Sequence, residues 1–262
     1  MRLSHRVALN GIELDSIDNC ILIQGIEEGT GKEQISAVSL FGGVGQRITN
    51  RHRDTLEVAV RFSIRQKKND MQARSDIFEK VNAWAAPGGW LTVNYKAGRR
   101  LRVVCAQFPE AKDQWDWTAI YTITFRAYTV PYWQQAGANR LTATGSSITR
   151  QMGVGGSTDT VLDIAFHNTS GATCDTFMVQ AGASMMELRG LGLANGETLH
   201  IDHTDDGVLR IRIQSGSTYR SALDKRTTAS SDDLWVRPSS VTVTMTAQRT
   251  GTLTMSSAGR FV

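Results

Sequence analysis

The sequence contains no long apolar run, since none of its stretches approaches the about 18 residues that a membrane-spanning helix needs. The segment Met1–Leu9 holds no apolar core long enough for a secretory signal peptide. These two absences predict a protein that is made in the cytoplasm and has no membrane span.

Cysteine is scarce as well. Cys20, Cys105 and Cys174 are odd in number, lie far apart, and fall in or near strand-like segments. Disulfide frameworks and zinc sites need cysteines in paired, characteristic spacings. We therefore expect buried free thiols in a reducing compartment, in preference to a disulfide or a metal ligand.

Motifs of catalysis are also missing. The glycine-rich stretch Phe41–Gly45 lacks the Lys and Ser or Thr of a phosphate-binding loop, so we interpret it as a flexible strand connection. No nucleophile elbow is present, and no pair of carboxylates has a spacing that indicates glycoside hydrolysis. The sequence predicts a protein that is not an enzyme and needs no cofactor.

One cluster of His and Asp residues suggests a metal site: His200, Asp202, His203, Asp205 and Asp206 offer nitrogen and oxygen ligands. On a strand, however, His200 and Asp202 share one face and His203 points the other way. From Asp202 onward the composition is typical of a turn, where Asp side chains bond their own backbone. Turn formation is the favoured interpretation, and no metal ligand is predicted.

The excess of positive charge lies in the first half of the chain. Residues 1–135 hold 18 Lys and Arg against 14 Asp and Glu, whereas residues 136–262 hold 11 of each. The basic runs lie at 52–53, 65–68 and 96–102, each at a predicted strand end or hairpin. Since no aromatic residues are interleaved with them, they favour solvated or subunit-facing charge over a nucleic-acid site.

The first half contains one unit in the order strand, helix, strand, strand and long strand. Apolar residues alternate with others over Leu56–Phe62, as in a half-buried strand. At about 69–86 an apolar stripe predicts a helix, with Asn69 or Asp70 as its N-cap. Pro131 ends the unit. The strands after the helix are predicted at 90–95, 101–105 and 115–128.

The second half is predicted to be an all-β sandwich. Short alternating segments recur between turn signals about every ten residues, a pattern typical of sandwiches. The turn signals are Asn195-Gly196, Asp206-Gly207, Ser215-Gly216 and Arg237-Pro238.

A passage rich in Gly, Ser and Thr separates the two halves. Its composition predicts too little apolar burial for a firmly ordered element. The predicted division is an N-terminal domain at 1–136, a linker at 137–159 and a C-terminal domain at 160–262.

The order of these features resembles that of the siphophage distal tail protein family, Dit. In the first half it includes an Asn10-Gly11 hairpin, the strand Glu57–Phe62 and a helix that ends in Trp84. The hairpin Lys96–Arg102 follows, and then the strand Ile120–Tyr128, which leads into Val130-Pro131-Tyr132. In the second half, residues 191–202 and 233–243 are similar to the family's C-terminal strands. The resemblance covers nearly the whole chain.

The resemblance implies a fold and a role. The fold is mainly β: an N-terminal split-barrel or tail-tube-like domain with one α-helix, then a galectin-like sandwich. The role is a structural protein of the virion that forms a homohexamer at the tip of a long tail, around a lumen for DNA. The implied neighbours are the tail tube protein, the baseplate hub or tail fibre, the tape measure protein and a receptor-binding protein. No sequence-specific nucleic-acid binding is expected.

Two sets of residues are candidate sites. The basic hairpin residues Lys96, Arg99, Arg100 and Arg102 are candidate subunit contacts, because a closed ring needs complementary edges. Trp235 is a candidate glycan contact, and with it comes an alternative function: a carbohydrate-binding module that contacts the host envelope through residues 160–262. Trp117 could likewise stack on a sugar. In the competing interpretation, Trp235 is a cap over the sandwich edge and Trp117 is a core residue.

Overall fold

The computed structural model describes residues 5–29, 33–39, 46–65, 71–110 and 120–262. The chain divides into two units, residues 1–133 and residues 134–262. Strands dominate both, so the mainly β fold class is confirmed. No helix in the described part of the chain is long and apolar enough to cross a membrane.

In the first half, strands alternate with one long and one very short helix. The elements up to residue 135 are β1 (Val7–Leu9), β2 (Ile12–Glu13), α1 (Leu14–Ile17), β3 (Ile21–Glu28), β4 (Glu33–Ser39), β5 (Gln46–Arg53), β6 (Leu56–Ile64), α2 (Met71–Ala85), β7 (Gly89–Val93), β8 (Arg99–Gln107), β9 (Ile120–Ala127) and β10 (Trp133–Gln135).

Eight of these strands belong to one strongly curled sheet. Seven of them follow each other antiparallel in the order β2-β1-β7-β8-β9-β6-β3, and β10 pairs with β8. The alternation predicted for β6 is real, because Val58, Val60 and Phe62 are fully buried. β4 and β5 pair with each other in a separate two-stranded sheet.

Helix α2 packs on the curled sheet through the predicted apolar stripe. Phe78 meets Tyr121 of β9 edge to face, with ring centroids 4.7 Å apart, and Trp84 meets Phe125 in the same way at 5.8 Å. Val81 of the helix is fully buried. Aromatic pairs in this geometry stabilise beyond the area that they bury.

The predicted Asn10-Gly11 turn connects β1 and β2, and the Asn10 side chain also hydrogen-bonds to the loop that follows α2. Asn10 and Gly11 have φ angles of 53° and 83°, the left-handed values that a type I′ turn requires. The Asn10 side chain donates to the Gly88 carbonyl and accepts from the Trp90 amide, both at 2.9 Å. One asparagine therefore ties the first hairpin to the loop that follows the helix.

Several predicted features fall outside the described residues. They are the Phe41–Gly45 connection, the Asn69 or Asp70 cap, the basic residues Lys67 and Lys68, and the part of the long strand at 115–119 that contains Trp117.

The second half contains no α-helix among its described residues. Its elements are β11 (Asn139–Val154), β12 (Thr160–Val161), β13 (Asp163–Asn168), β14 (Cys174–Ala181), β15 (Ser184–Leu193), β16 (Thr198–His203), β17 (Leu209–Ser215), β18 (Thr218–Ser221), a 3-10 turn (Leu223–Lys225), β19 (Trp235–Val236), β20 (Ser239–Ser257) and β21 (Arg260–Phe261).

The long strand β20 organises the second unit. Its first half pairs with β14 and its second half with β13, while β11 runs antiparallel along the whole of it. The register between β11 and β20 shifts at Gly145, where a bulge lets the pair bend. The two halves of the sheet, β15-β14-β20 and β20-β13-β16-β17-β18, enclose one apolar core. This arrangement confirms the predicted sandwich; its galectin-like character stays a prediction.

The predicted linker at 137–159 is wrong over most of its length, because residues 139–154 form β11. The segment has one largely exposed side, so its many Thr, Ser and Gly residues leave only Ile148, Met152 and Val154 in the core. An edge strand that needs few apolar residues is hard to tell from a linker by composition.

The other local predictions for the second unit agree with the structure. Gly196, Gly207 and Gly216 all have positive φ angles, as turn positions require. The prediction of buried free thiols holds for Cys174 of this unit, whereas Cys20 and Cys105 of the first unit are free but only half-buried.

Candidate functional sites

The turn between β7 and β8 is fastened to the end of β3 by a carboxylate. Glu28 accepts a hydrogen bond from Tyr95 at 2.7 Å and forms an ion pair with Lys96 at 2.6 Å. Trp133 donates to the same carboxylate at 3.3 Å, and the Lys96 ammonium lies 4.8 Å from the centre of the Trp133 ring. Burial, followed by the Glu28 carboxylate, raises the pKa of the Tyr95 phenol. Lys96 is thus used inside the unit.

The arginines of the same hairpin lie along a tryptophan. The Arg100 guanidinium is 3.8 Å from the centre of the Trp90 ring, and that of Arg102 is 6.0 Å away. Such stacking keeps the charge at the surface while the stems cover the ring. Arg99, Arg100 and Arg102 are half-buried. Their predicted role as subunit contacts stays a prediction.

Strand β4 of the β4–β5 hairpin exposes apolar side chains to solvent. Ile35 is 55% exposed and Val38 is 58% exposed, and residues 34–38 are all exposed. In the described part of the chain, β4 and β5 have no partner strand other than each other. A two-stranded hairpin is marginally stable on its own in water. The exposed apolar side chains therefore mark this hairpin as a candidate docking element.

Trp235 is 45% exposed and lies beside a cleft of about 420 Å³. Its backbone is fixed, because the Ser184 hydroxyl donates to its carbonyl and accepts from its amide, both at 3.2 Å. The Arg260 guanidinium is 5.3 Å from the ring centre. This environment fits both the edge cap and the glycan contact that the sequence left open.

A buried histidine joins three segments of the second unit. The His203 side chain is only 6% exposed; its Nδ1 lies 2.6 Å from Asp163 and its Nε2 lies 2.9 Å from Asp233. Burial lowers the pKa of the imidazole, but the hydrogen bonds and charges of the two carboxylates raise it by more, to about 9. His203 is therefore protonated at neutral pH, and both ring nitrogens donate.

Next to it, β16 and β17 carry a network of charged side chains. Asp202 accepts from Arg210 at 3.0 Å and from Arg212 at 2.7 Å, one guanidinium on each carboxylate oxygen. His200 is 2.9 Å from Gln214. A cleft of about 530 Å³ opens beside this network, and its lining includes His200, Asp202 and His203.

The sequence predictions for this region need two corrections. The turn predicted from Asp202 begins after β16, which includes both Asp202 and His203; the turn bond runs from the Gly207 amide to the Thr204 carbonyl. The predicted separation of His203 from the face of His200 and Asp202 is incomplete, because all three line one cleft. In the described residues, no group of His, Cys, Asp and Glu is arranged to hold a metal ion.

Other residues of this site carry no signal in the sequence. Asp163 and Asp233 are 40 and 30 positions from His203, and no spacing in the sequence links either of them to the histidine. Arg210 and Arg212 alternate with apolar residues, which predicts a strand and not the carboxylate that they hold. Only the pairing of distant strands brings these groups together.

No protein-family model and no curated protein sequence matches the chain. Among solved structures, the SPP1 Dit protein (gp 19.1), described as a paradigm of the hub adsorption apparatus in phages that infect Gram-positive bacteria, is similar with a TM-score of 0.69. The match covers 98% of this chain and 99% of that one, at 14% sequence identity. The chain has the Dit fold. The resemblance that the order of motifs indicated is confirmed at the level of the fold.

Two chains of the phage p2 baseplate in its activated conformation are also similar to this Dit-like chain. In the structure with Sr the TM-score is 0.50 at 6% identity, over 97% of each chain. In the structure with Ca the TM-score is 0.51 at 6% identity, over 99% of this chain and 100% of that one. The fold of the whole chain therefore has counterparts in these phage hub and baseplate structures.

Proposed function

We propose that this chain is a non-enzymatic structural protein of the tip of a long phage tail. It assembles as a hexameric ring that joins the tail tube to the adsorption device and leaves a lumen for DNA. Its neighbours are the tail tube protein, the baseplate hub or tail fibre, the tape measure protein and a receptor-binding protein. It is made in the host cytoplasm and ends in the virion.

The observation that carries the proposal is the extent of the match to SPP1 Dit. A fold shared by one domain says little about function, because common folds serve many roles. Here the similarity extends over 98% of this chain and 99% of the other, so the same two units occur in the same order and nothing substantial is added or missing. A two-unit combination is more specific to a role than either unit alone.

The exposed β4–β5 hairpin supports assembly with further copies. In a head-to-tail ring, a surface of each subunit contacts a different, complementary surface of the next subunit. Ile35 and Val38 place two apolar side chains on a hairpin that has no partner strand elsewhere in the described residues. Because just over half of each side chain is exposed, its burial in a neighbour should stabilise the contact by roughly half of the about 1.5–3 kcal/mol that full burial gives.

The proposal is tested by the mass of the purified protein, measured by light scattering after size exclusion over a concentration series. A ring gives a species near 173 kDa, six times the 28.8 kDa of one chain. Negative-stain images of that species should show a closed ring with a central opening. A protein that stays monomeric at every concentration and forms no rings in images would contradict the hexamer.

The first prediction concerns the hairpin. Replacement of Ile35 and Val38 by Asp should shift the mass distribution toward the monomer, because charged side chains cannot be buried in a neighbour without a large cost. The circular dichroism spectrum should not change, since both residues are exposed in the single chain. The matched control is Val208→Asp, at a residue of the second unit that is 61% exposed. Equal loss of assembly in both proteins would exclude the hairpin as a specific contact.

A further inference from the structure

The outward face of the second unit carries a cleft of about 530 Å³. Ala165 of β13 lies in its centre, paired with Thr254 of β20 on one side and with His200 of β16 on the other. Thr254, Ala165 and His200 are neighbours across three strands. Because the Ala165 methyl group is shorter than the side chains on either side, the sheet surface has a hollow at this position. Its volume lies within the range of about 300–1,000 Å³ that is usual for small-molecule sites.

The walls of this cleft are held in fixed positions. Asp202 is clamped by Arg210 and Arg212, one on each carboxylate oxygen. The His200 ring is fixed by Gln214, 2.9 Å from its Nε2. Polar groups that are positioned before a ligand arrives lose little conformational entropy on binding. The cleft is therefore a preorganised polar surface.

The charged residues that line the cleft carry two charges of each sign: Arg140 and His203 are positive, and Asp163 and Asp202 are negative. The Asp163 carboxylate faces the buried His203 imidazolium at 2.6 Å, and the Asp202 carboxylate faces its two arginines. Arg140 adds an exposed guanidinium at the opposite wall. An anion in the cleft would meet two carboxylates, and a cation would meet Arg140 and His203. Neither sign of charge is favoured, so the lining suits a neutral ligand.

Donors and acceptors with remaining capacity converge on the same space. Asp163 binds His203 through one oxygen only, and its side chain is 40% exposed. Arg140 offers guanidinium donors. The Thr254 hydroxyl shares one long hydrogen bond of 3.4 Å with the Thr142 hydroxyl and keeps acceptor capacity for a ligand. A ligand with several neighbouring hydroxyl groups satisfies such a mixture better than one with a single polar group.

We propose that this cleft, lined by Arg140, Asp163, Ala165, His200 and Thr254, binds a neutral saccharide through its ring hydroxyls. The site is separate from the cleft beside Trp235, with which it shares no lining residue. The proposal goes beyond ring assembly and does not depend on it, because every residue involved belongs to one chain.

The test uses the full-length protein at pH 7 on an array of neutral saccharides that includes hexoses, deoxyhexoses and N-acetylhexosamines. Saturation-transfer NMR then measures the affinity for the retained sugars. Ala165→Leu fills the hollow and should abolish binding, whereas Arg140→Ala should weaken it about tenfold, as expected for one lost charge-assisted hydrogen bond. Inorganic phosphate and calcium chloride serve as charged probes.

Two control variants separate the cleft from its surroundings. Thr252→Leu adds a similar side chain on the same outward face of β20, outside the cleft, and should leave binding unchanged. Trp235→Ala should also bind normally. Retention of no saccharide by the wild type overturns the proposal, and so does preference for phosphate or calcium over the sugars. Loss of binding in Thr252→Leu or Trp235→Ala but not in Ala165→Leu would also overturn it.

Discussion

His203 is the strongest electrostatic feature of the second unit at the scale of single residues. Its imidazolium is buried between Asp163 and Asp233, which come from β13 and from the segment before β19. Removal of one partner of a buried ion pair leaves an uncompensated charge, which is strongly destabilising. His203 therefore holds three segments of the second unit together through ion pairs whose strength depends on pH.

The second prediction is a pH dependence with a definite sign. The pKa of His203 is raised from 6.5 to about 9 in the folded protein, so its contribution to stability is complete below about pH 6.5. The free energy of unfolding of the second unit should fall as the pH rises through 9. Urea unfolding across this range measures it.

Two variants check that the effect belongs to His203. His203→Gln should flatten the fall in stability between pH 6.5 and 9. His167→Gln, on the neighbouring strand, should keep the wild-type curve, because the His167 ring contacts the Thr198 hydroxyl and not a carboxylate. A wild-type curve without the fall would show that the imidazole titrates normally.

At the residue scale, sequence reasoning succeeds where the constraint is local. Asn10 and Gly11 predict a turn because few residue types accept left-handed φ angles, and the structure has the turn. The partners of His203 are not predictable in this way, because they depend on which strands pair. His203 itself is noticeable in the sequence only because it belongs to the His and Asp cluster at 200–206, which suggests a metal site.

At the scale of elements, the hairpin between β7 and β8 contains residues of two kinds. Lys96 is held by Glu28, and both side chains are mostly buried. The arginines farther along β8 lie over Trp90 at the surface. A charge reversal should therefore lower stability at Lys96, whereas at the surface arginines of β8 it should mainly change contacts with other molecules.

The third prediction separates these roles. Lys96→Glu would place two carboxylates side by side and should lower the stability of the first unit by about 3 kcal/mol. Arg99→Glu should change stability by less than about 1 kcal/mol and should weaken ring assembly. Thermal unfolding measures the first effect and light scattering the second.

Arg150→Glu, on the exposed face of β11, is the matched charge reversal in the second unit and should assemble normally. If Arg99→Glu also assembled normally, the predicted hairpin contact would be wrong. If Lys96→Glu kept the wild-type stability, the Glu28 ion pair would contribute little.

The elements themselves differ in how well the sequence predicts them. Helix α2 and β6 have buried apolar residues at regular spacing, and both are predictable. β11 buries only three apolar residues among its sixteen and lies alongside a single strand, so its pattern is that of a polar linker. The four-residue helix α1 is too short for periodicity to indicate it.

At the scale of the whole molecule, the second unit has a core of its own, formed entirely by residues between 148 and 255. β11 contributes three of the side chains at one end of that range. The predicted boundary at residue 160 would therefore cut through the unit, whereas the observed boundary at residue 134 keeps it whole.

The fourth prediction compares two fragments. Residues 134–262 should fold alone, because they contain the entire core and all three strands that pair with β20. Residues 160–262 lack β11, expose one edge of β20 along its whole length, and should aggregate or stay partly unfolded. Circular dichroism and NMR dispersion distinguish the two. Equal folding of both fragments would show that β11 is dispensable.

The pairing of β11 with β20 also has a consequence in time. Asn139 pairs with Ser257, and Val154 pairs with Ser239. Roughly a hundred further residues must be synthesised after β11 before β20 is available to pair with it. At 5–20 residues per second this interval is on the order of 5–20 s. Throughout that interval β11 is a strand without a partner. Its many Thr, Ser and Arg side chains should keep this unpaired strand soluble until β20 has been synthesised.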